Sequence, residues 1–479
     1  MTTWNSTRFG DPSRRVRAAT AALATAAVLL LLQAATVFSG IDGGPKRIDQ
    51  DEFHAKAIQR FVDGWPVPDI SDYEATVAPA FHLALAGIVH ATSDSLLNEN
   101  LDLLRMLQGS FMLAFFALIV YELALVAPTR WAVVVAIPLV VDPYLFMNLA
   151  WVSPEGVGWL TLMLALLVVI ECDNWRWTAA IGGVAVLAAV SVRQTNIWLA
   201  GLVWLGAWLG RNERPPQHRP TEWSPGRLVP RLSEFEPRRV ARASVALVAT
   251  LPAFLLIAYL ADIWGGLVPP AFQTGNTTSP IQHHAAGEHT GGNLAFPAIM
   301  FAVCGLVGAC SLPLFAGTIR ALFNNRINGR WLVAAGAALG LAAALLVETS
   351  YSKDHGRWGS LWNIARIGPV VADRSFSIAA LAAFGGAAMS VALLAVPRRA
   401  RLILASTWLG YVLTNSFNAL AWIRYVEPFA LFWFVLAVRA AWKYNPLEDP
   451  KTSTLLRLAG PVALSLALAG VTAFMLVRF

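Results

Sequence analysis

The stretch AATAALATAAVLLLLQAATVFS, residues 18–39, decides the fold class because none of its 22 residues is charged. A helix needs roughly 17–25 apolar residues to cross a bilayer. Arg14, Arg15 and Arg17 precede the stretch, as they would in a signal peptide. Its apolar part is longer than that of a signal peptide, however, and no Ala-x-Ala cleavage site follows. We therefore predict a retained membrane anchor.

Similar stretches recur along the whole chain, of which 57% is hydrophobic and 14% is charged. A soluble protein would carry about a quarter charged residues, so that class is excluded. We predict an all-α polytopic membrane protein that forms one domain over residues 1–479. Its expected membrane spans, about thirteen, are residues 18–39, 106–126, 131–150, 157–171, 177–192, 196–210, 245–264, 296–318, 331–347, 377–396, 402–414, 429–441 and 456–477.

The segment 77–91 leaves two topologies open. If it spans, the basic loop 211–242 lies outside, against the tendency of basic loops to stay in the cytoplasm. If it lies in the interface or re-enters, 24 of the 36 Lys and Arg residues are cytoplasmic and 19 of the 29 Asp and Glu residues are outside. We adopt the second topology, with a cytoplasmic N-terminus. The net charge of +7 then reflects topology, and we predict no nucleic-acid partner.

Three outer loops and one cytoplasmic connector follow from this topology. The first outer loop covers residues 40–104, the others cover 265–295 and 350–376, and the proline-rich connector covers 211–242. Apolar residues at helical spacing after Asp49 predict amphipathic juxtamembrane helices in the first loop. Asp49 is expected to cap the first of them.

Two acidic residues, Asp51 and Glu52, stand at the start of that predicted helix. Acids in a first helical turn complement the helix dipole, and that explanation alone is sufficient. The alternative is that these carboxylates face the mouth of the bundle and do chemistry there. The pattern by itself does not decide between the two.

Polar clusters in the other outer loops each have a structural and a functional interpretation. Arg193-Gln194-Thr195-Asn196 is either a plain turn between two spans or a site for an oxyanion or sugar hydroxyls. His283, His284 and His289 favour a solvated loop or sugar contacts over a metal site, because no Cys is near. Four outer arginines are either interfacial anchors or a receptor for a lipid-borne anion; they are Arg357, Arg366, Arg374 and Arg424.

Several motifs occur in the order in which one known family has them. They are Asp51-Glu52-Phe53-His54, Trp151 to Glu155, Arg193-Gln194-Thr195-Asn196-Ile197-Trp198, Ala372-Asp373-Arg374 and Arg424-Tyr425. With these motifs the chain resembles the dolichyl-phosphate-glucose α-1,2-glucosyltransferases and, more broadly, the GT-C superfamily of polyprenyl-phosphate-sugar-dependent transferases. It departs from them in the third outer loop, where the family's Asp-Asn-Arg-His string is reduced to Asp373-Arg374.

The resemblance implies a GT-C-like bundle and transfer of a hexose, with glucose favoured, from a polyprenyl- or dolichyl-phosphate donor to a glycan or lipid acceptor. It implies inversion with a single carboxylate base, Asp51, beside Glu52, and neither a cofactor nor a metal. The arginines expected at the donor phosphate are Arg193, Arg374, Arg424 and Arg366. The residues expected to contact the sugar or the acceptor are His54, Gln194, Asn196, Glu155, Asp373 and His284.

The implied reaction takes place on the outer side of the plasma membrane in a prokaryote or in the lumen of the endoplasmic reticulum in a eukaryote. Two alternatives stay open: a membrane transporter, and a ligase or polymerase of lipid-linked polymers. Transporters tend to show repeats, broken helices and charges near mid-membrane. No repeat is visible in this sequence, and Asp142-Pro143 is the only deep acidic position.

Overall fold

The computed structural model describes residues 11–39, 49–71, 73, 75, 77–92, 101–172, 174–210, 236–269, 292–324, 329–357, 359, 361–418, 421, 423–445, 448 and 455–478, without the side chains of residues 52, 477 and 478. The predicted residues His284 and, for its side chain, Glu52 lie outside this part. So do residues 211–235 of the cytoplasmic connector and residues 270–291 of the second outer loop.

Helices make up nearly all of the described chain. They are α1 (Pro12–Phe38), α2 (Ala55–Asp63), α3 (Ala80–Thr92), α4 (Leu101–Ala124), α5 (Thr129–Val140), α6 (Pro143–Ala150), α7 (Glu155–Glu171), α8 (Trp175–Val192), α9 (Leu199–Leu209), α10 (Pro237–Trp264), α11 (Phe296–Ser311), α12 (Ala316–Phe323), α13 (Arg330–Leu345), α14 (Phe376–Leu394), α15 (Arg398–Ser416), α16 (Ile423–Tyr444) and α17 (Ala459–Arg478). A π-helix, Gln50–His54, precedes α2, and 3₁₀-helices cover Gln194–Trp198, Leu312–Phe315, Leu361–Arg366 and Leu455–Leu458. The strands β1 (Val370–Val371) and β2 (Arg374–Ser375) pair antiparallel.

The chain is an all-α, multi-pass membrane protein. Among the described residues, eight helices are long and apolar enough to cross a membrane, or nine if one bent pair counts as a span. The expected number of about thirteen is not confirmed, because four of the expected spans are too short or too polar to qualify; they are α7, α9, α13 and α15. The segment predicted at 77–91 forms α3, whose 13 residues extend about 20 Å. That length is short of a hydrocarbon core of about 30 Å, as the interfacial alternative requires.

The span expected at 131–150 is broken into two helices, α5 and α6. Helices α5 and α6 meet at an angle of 82°. Pro143 lacks an N–H donor and so starts a new helix rather than continuing the old one. Asp142 caps that new helix, accepting hydrogen bonds from the backbone N–H groups of Tyr144 (3.1 Å) and Leu145 (2.8 Å). Helix α6 therefore turns sharply away from the axis of α5.

Helix α16 is the centre of the bundle. Of its 22 residues, 18 are buried, and most are the large apolar side chains that an interior helix needs. Beside it, α11, α13 and α14 approach one another closely through glycines. A Cβ atom on Gly385 would lie 1.9 Å from the carbonyl oxygen of Phe301, so only glycine fits there.

The outer lobe, formed by the π-helix, α2, α3 and the segment between α2 and α3, is a second hydrophobic unit. Helix α2 buries Ala57, Ile58, Phe61 and Val62 on one face, as the amphipathic prediction requires. These residues pack against α3 and against Trp264 at the end of α10. The lobe is thereby attached to the end of the bundle at which α10 finishes.

The capping role predicted for Asp49 is wrong. Its backbone is already helical and its side chain makes no capping hydrogen bond. Instead Asp49 Oδ2 lies 2.8 Å from Arg424 Nη1. A guanidinium is a stronger partner for a carboxylate than the backbone N–H groups of a short helix, because the hydrogen bond then joins two opposite charges.

Charged residues stand at both ends of α16. We refer to the end at Ile423 as the outer end and the end at Tyr444 as the inner end, following the predicted topology. At the inner end Arg439 pairs with Glu122 of α4 and Glu171 of α7, and Lys443 also pairs with Glu171. Arg439 and Arg424 are 15 residues apart, about 22 Å along a helix.

We expect Arg439→Met to destabilise the protein strongly, because it leaves Glu122 and Glu171 without their shared cation. Removing one partner of a buried ion pair costs about 3–5 kcal/mol. Arg176→Met is the matched control, since Arg176 is exposed at the start of α8 and its guanidinium lies over the Trp175 ring. The midpoint of thermal unfolding in detergent measures both, and equal midpoints for the two variants would contradict this account.

Candidate functional site

A cavity whose wall is mostly apolar but carries several polar side chains lies at the outer end of α16. Its empty volume is about 590 Å³, which includes space open to solvent. Five elements contribute to it: the starts of α7 and α16, the helix α6, the turn after α8, and α15. The lining residues are Tyr144, Asn148, Pro154, Glu155, Gly158, Trp159, Leu162, Val192, Arg193, Asn196, Tyr411, Arg424, Tyr425 and Pro428.

Two arginines share one aromatic ring in this cavity. The Cζ atoms of Arg193 and Arg424 lie 4.9 Å and 5.2 Å from the centre of the Tyr425 ring. The side chains are about a quarter exposed, at 24% and 23%. Two guanidiniums on one aromatic platform form a concentrated positive site. The predicted residues Arg193 and Arg424, distant in sequence, are therefore brought together.

The backbone of Tyr425 is held in place by Tyr411. Tyr411 donates a hydrogen bond of 2.7 Å to the carbonyl oxygen of Tyr425. The Tyr411 ring in turn stacks on Phe429 with 3.7 Å between centroids. Arg193 is placed by the end of α8, where its backbone becomes extended and a 3₁₀-turn follows. In that turn Asn196 donates to the carbonyl oxygen of Ala189 at 3.3 Å.

Glu155 is the carboxylate that lines the cavity. Its Oε1 atom lies 3.5 Å from Arg193 Nη2, and its Oε2 atom accepts a short hydrogen bond from the hydroxyl of Ser153. The Ser153 hydroxyl also lies 3.1 Å from Asn148 Oδ1. A distance of 3.5 Å is long for a hydrogen bond, so Arg193 is held loosely by its acidic partner.

Asp51 is exposed and does not line the cavity, but its helix is attached to the cavity. It belongs to the π-helix, and π-helical turns are frequent at functional sites. Asp49, two residues earlier, pairs with Arg424. Gln50 donates a hydrogen bond of 2.9 Å to Asp51 Oδ1. The acid predicted as the base therefore stands on a segment fixed to one of the two cavity arginines.

The predicted residue His54 is buried in the outer lobe. Its Nδ1 atom lies 2.9 Å from His82 Nε2, and the hydroxyl of Tyr73 lies 2.6 Å from His82 Nδ1. Burial, and then the neighbouring His54, lower the pKa of His82 well below its usual value. Burial also raises the pKa of the Tyr73 hydroxyl. The His82 ring and the Tyr73 hydroxyl are therefore neutral at pH 7. The contacts from His54 to His82 and from His82 to Tyr73 connect the π-helix to α3.

The third outer loop carries three predicted residues away from the cavity lining. Arg374 donates to the carbonyl oxygens of Leu345 (2.6 Å) and Ala372 (2.5 Å). It therefore provides a hydrogen-bond donor for the last carbonyl group of α13. Asp373 occupies a left-handed turn with φ 59°. Arg366 stacks over the Tyr351 ring at 3.5 Å. Gln194 lies beside Arg193 without lining the cavity.

Three contributors to the site went unpredicted: the pairing of Asp49 with Arg424, the platform role of Tyr425, and the cavity residue Asn148. Each depends on contacts between segments far apart in sequence, so no local pattern signals them. Among the described residues, no group of three or more His, Cys, Asp or Glu side chains is arranged to hold a metal ion.

No protein family, no curated protein and no solved structure matches this chain. The geometry of the cavity and the residues around it therefore carry the functional argument.

We expect acid to destabilise the outer lobe through His82. Below about pH 6.5, the ordinary pKa of histidine, the unfolded chain takes up a proton that folded His82 resists. Stability is therefore lost as the pH falls from about 6.5 towards the lowered folded pKa. Thermal unfolding from pH 7.5 to 5.0 measures this loss, and His82→Asn should flatten the dependence. The control His90→Asn alters an exposed residue of the same helix and should keep the wild-type slope. If His82→Asn keeps it too, His82 is not the responsible group.

Proposed function

We propose that this protein is a membrane glycosyltransferase that moves a hexose, with glucose favoured, from a polyprenyl-phosphate donor to a glycan or lipid acceptor on the outer side of the membrane. One observation supports this most directly. Arg193 and Arg424 flank the Tyr425 ring within a cavity at the outer end of the bundle. Two converging guanidiniums suit a phosphate group, which accepts hydrogen bonds from their planar forks.

The chemistry needs few protein groups because a phosphate is a good leaving group. The acceptor hydroxyl oxygen attacks the anomeric carbon of the sugar, and the bond from that carbon to the phosphate oxygen breaks with inversion. The proton of the hydroxyl passes to a carboxylate, which we assign to Asp51, and Glu52 orients that carboxylate or the acceptor. Arg193 and Arg424 stabilise the negative charge that grows on the departing lipid phosphate.

The loose contact between Arg193 and Glu155 fits this assignment. At 3.5 Å it is easily exchanged for a phosphate oxygen, which forms shorter charge-assisted hydrogen bonds. Glu155 is then available to accept hydrogen bonds from sugar hydroxyls, together with the amides of Asn148 and Asn196 in the same cavity. The roles of six further residues stay predictions: Arg366, Arg374, Asp373, Gln194 and His54 do not line the cavity, and His284 lies outside the described residues.

The membrane enters the mechanism as the source of the donor. A GT-C-like arrangement of about thirteen spans would let the prenyl chain lie among lipids while its phosphate reaches the cavity. The compartment follows from the host: the plasma membrane in a prokaryote, with the site extracytoplasmic, or the endoplasmic reticulum in a eukaryote, with a dolichyl donor. We propose no cofactor, no metal and no nucleic-acid partner.

A membrane transporter is the second candidate, and one observation favours it. The break between α5 and α6 places Asp142, which is fully buried, close to Glu427 of α16, also buried. Broken helices with buried acids are typical of substrate and ion pathways. A ligase or polymerase of lipid-linked polymers is a third candidate that shares the arginine-lined outer site.

We expect Asp51→Asn to lower transfer by about 10²–10⁴-fold, the usual contribution of a general base. Purified protein is incubated with radiolabelled polyprenyl-phosphate hexoses and host membranes, and labelled product is counted. The Asn side chain keeps the size of Asp, so folding should persist, as thermal unfolding will verify. Transfer at the wild-type rate in this variant would remove Asp51 as the base. Label that crosses proteoliposomes without forming a product would instead support the transporter.

We expect Arg193→Ala and Arg424→Ala each to lower kcat by about 10²–10³-fold, the loss typical of removing one donor to a developing oxyanion. Donor kinetics measure this effect, and the donor KM should rise as well. Lys353→Ala is the matched control, because Lys353 is an exposed cation on the same outer side. Wild-type kinetics in both arginine variants would place the phosphate elsewhere.

A further inference from the structure

Gln50 is a fully buried polar residue beside Asp51, with 0% of its surface exposed. Its side-chain amide makes three hydrogen bonds. The Oε1 atom accepts from Arg105 Nε at 3.1 Å and from the backbone N–H of Val152 at 3.0 Å. The Nε2 atom donates to Asp51 Oδ1 at 2.9 Å. One buried amide thus connects two parts of the bundle to the exposed carboxylate.

The orientation of this amide is locked by its partners. Arg105 and the Val152 N–H can only donate, and an ionised Asp51 carboxylate can only accept. If the amide were flipped, its NH₂ group would face two donors and its oxygen would face a carboxylate. All three hydrogen bonds would be lost inside a buried site, where unsatisfied polar groups are costly. The N–H group of Gln50 therefore always points at Asp51.

Both anchors of Gln50 are themselves fixed. Arg105 of α4 is paired with Asp102 at 2.9 Å. Val152 lies in the segment between α6 and α7, where Gln108 of α4 donates to the carbonyl oxygen of Trp151 at 2.7 Å. That segment leads directly to Glu155 in the cavity. Through Gln50, the carboxylate of Asp51 is thereby held by α4 and by the segment that leads to the wall of the cavity.

We infer that Gln50 is a positioning residue, whose donated hydrogen bond sets the direction of the Asp51 carboxylate toward the acceptor hydroxyl. This inference rests on the proposed function. Gln50 does not exchange a proton in the reaction; the proton of the acceptor passes to Asp51, and Gln50 restricts the rotation of the carboxylate that receives it. A misplacement of about 1 Å in such a group can cost about 10²-fold in rate.

Two substitutions separate this role from a purely structural one. Gln50→Glu keeps an oxygen that accepts from Arg105 and Val152 but replaces the donor that faces Asp51. Gln50→Leu removes both the accepting oxygen and the donating NH₂ group. Gln59→Leu is the matched control, because Gln59 also donates to a nearby carboxylate, Asp63 Oδ1 at 2.7 Å, on the exposed side of α2. The readouts are kcat, the donor KM and the midpoint of thermal unfolding.

We expect Gln50→Glu to retain the donor KM while kcat falls about 10–100-fold. Its unfolding temperature should also fall, because the new carboxylate oxygen faces the Asp51 carboxylate. We expect Gln50→Leu to lose both stability and kcat, and Gln59→Leu to behave as wild type. In an Asp51→Asn background, Gln50→Glu should have no further effect on the residual rate. This dependence on Asp51 identifies positioning of that carboxylate.

The opposing outcomes are distinct. If Gln50→Glu keeps the wild-type kcat while Gln50→Leu loses stability, Gln50 is only a structural anchor and the inference fails. The inference also fails if Gln50→Glu lowers the rate of the Asp51→Asn variant by the same factor as it lowers the wild-type rate. If Asp51→Asn itself transfers at the wild-type rate, the assignment of Asp51 fails first, and with it the role of Gln50. The Asp51→Asn result therefore tells the two failures apart.

Discussion

A guanidinium placed in an apolar helix must be neutralised, and α16 carries one near each end. Burying an unpaired charge is far more costly than any other single contact in the bundle. At the inner end the requirement brings Glu122 and Glu171, and with them α4 and α7, onto Arg439. At the outer end it brings Asp49 onto Arg424. Ion pairs near both of its ends thus hold α16, the most buried of the described membrane-spanning helices, in place.

The outer pair has a consequence for the site, because Asp49 begins the segment that carries Asp51. Pairing with Arg424 places the start of the π-helix at the cavity, and Gln50 and His54 attach the same helix to α4 and α3. The segment 49–54 is therefore attached to the bundle and to α3 at three points. A reaction that needs a carboxylate near a lipid phosphate gains from such preorganisation, since positioning is its main requirement.

The break at Asp142-Pro143 contributes one wall of the cavity. Helix α6 leaves α5 at 82°, and its residues Tyr144 and Asn148 line the cavity together with the starts of α7 and α16. The same break buries an acid in the membrane region, which is why the geometry supports a transporter as second candidate.

Much of the fold was predictable from local pattern. Apolar stretches located the helices of the bundle, and helical spacing located the amphipathic face of α2, because burial of apolar side chains is additive and local in sequence. The number of spans was not predictable in this way. Segments such as α9 and α13 are apolar but short, and whether they cross a bilayer depends on neighbours that the sequence does not specify.

By itself, the sequence determined that this chain is a helical membrane protein. It also predicted that most basic residues gather on one side and that Arg193 and Arg424 stand at helix ends on the other side. Only the tertiary structure decided which charges meet. Asp49 has the sequence signature of a helix cap yet pairs with a residue 375 positions away, and Arg374 serves backbone carbonyls while Arg193 faces the cavity. The reason is physical: hydropathy is summed over neighbours in the chain, whereas an ion pair depends on a distance of a few ångströms between segments that only packing brings together.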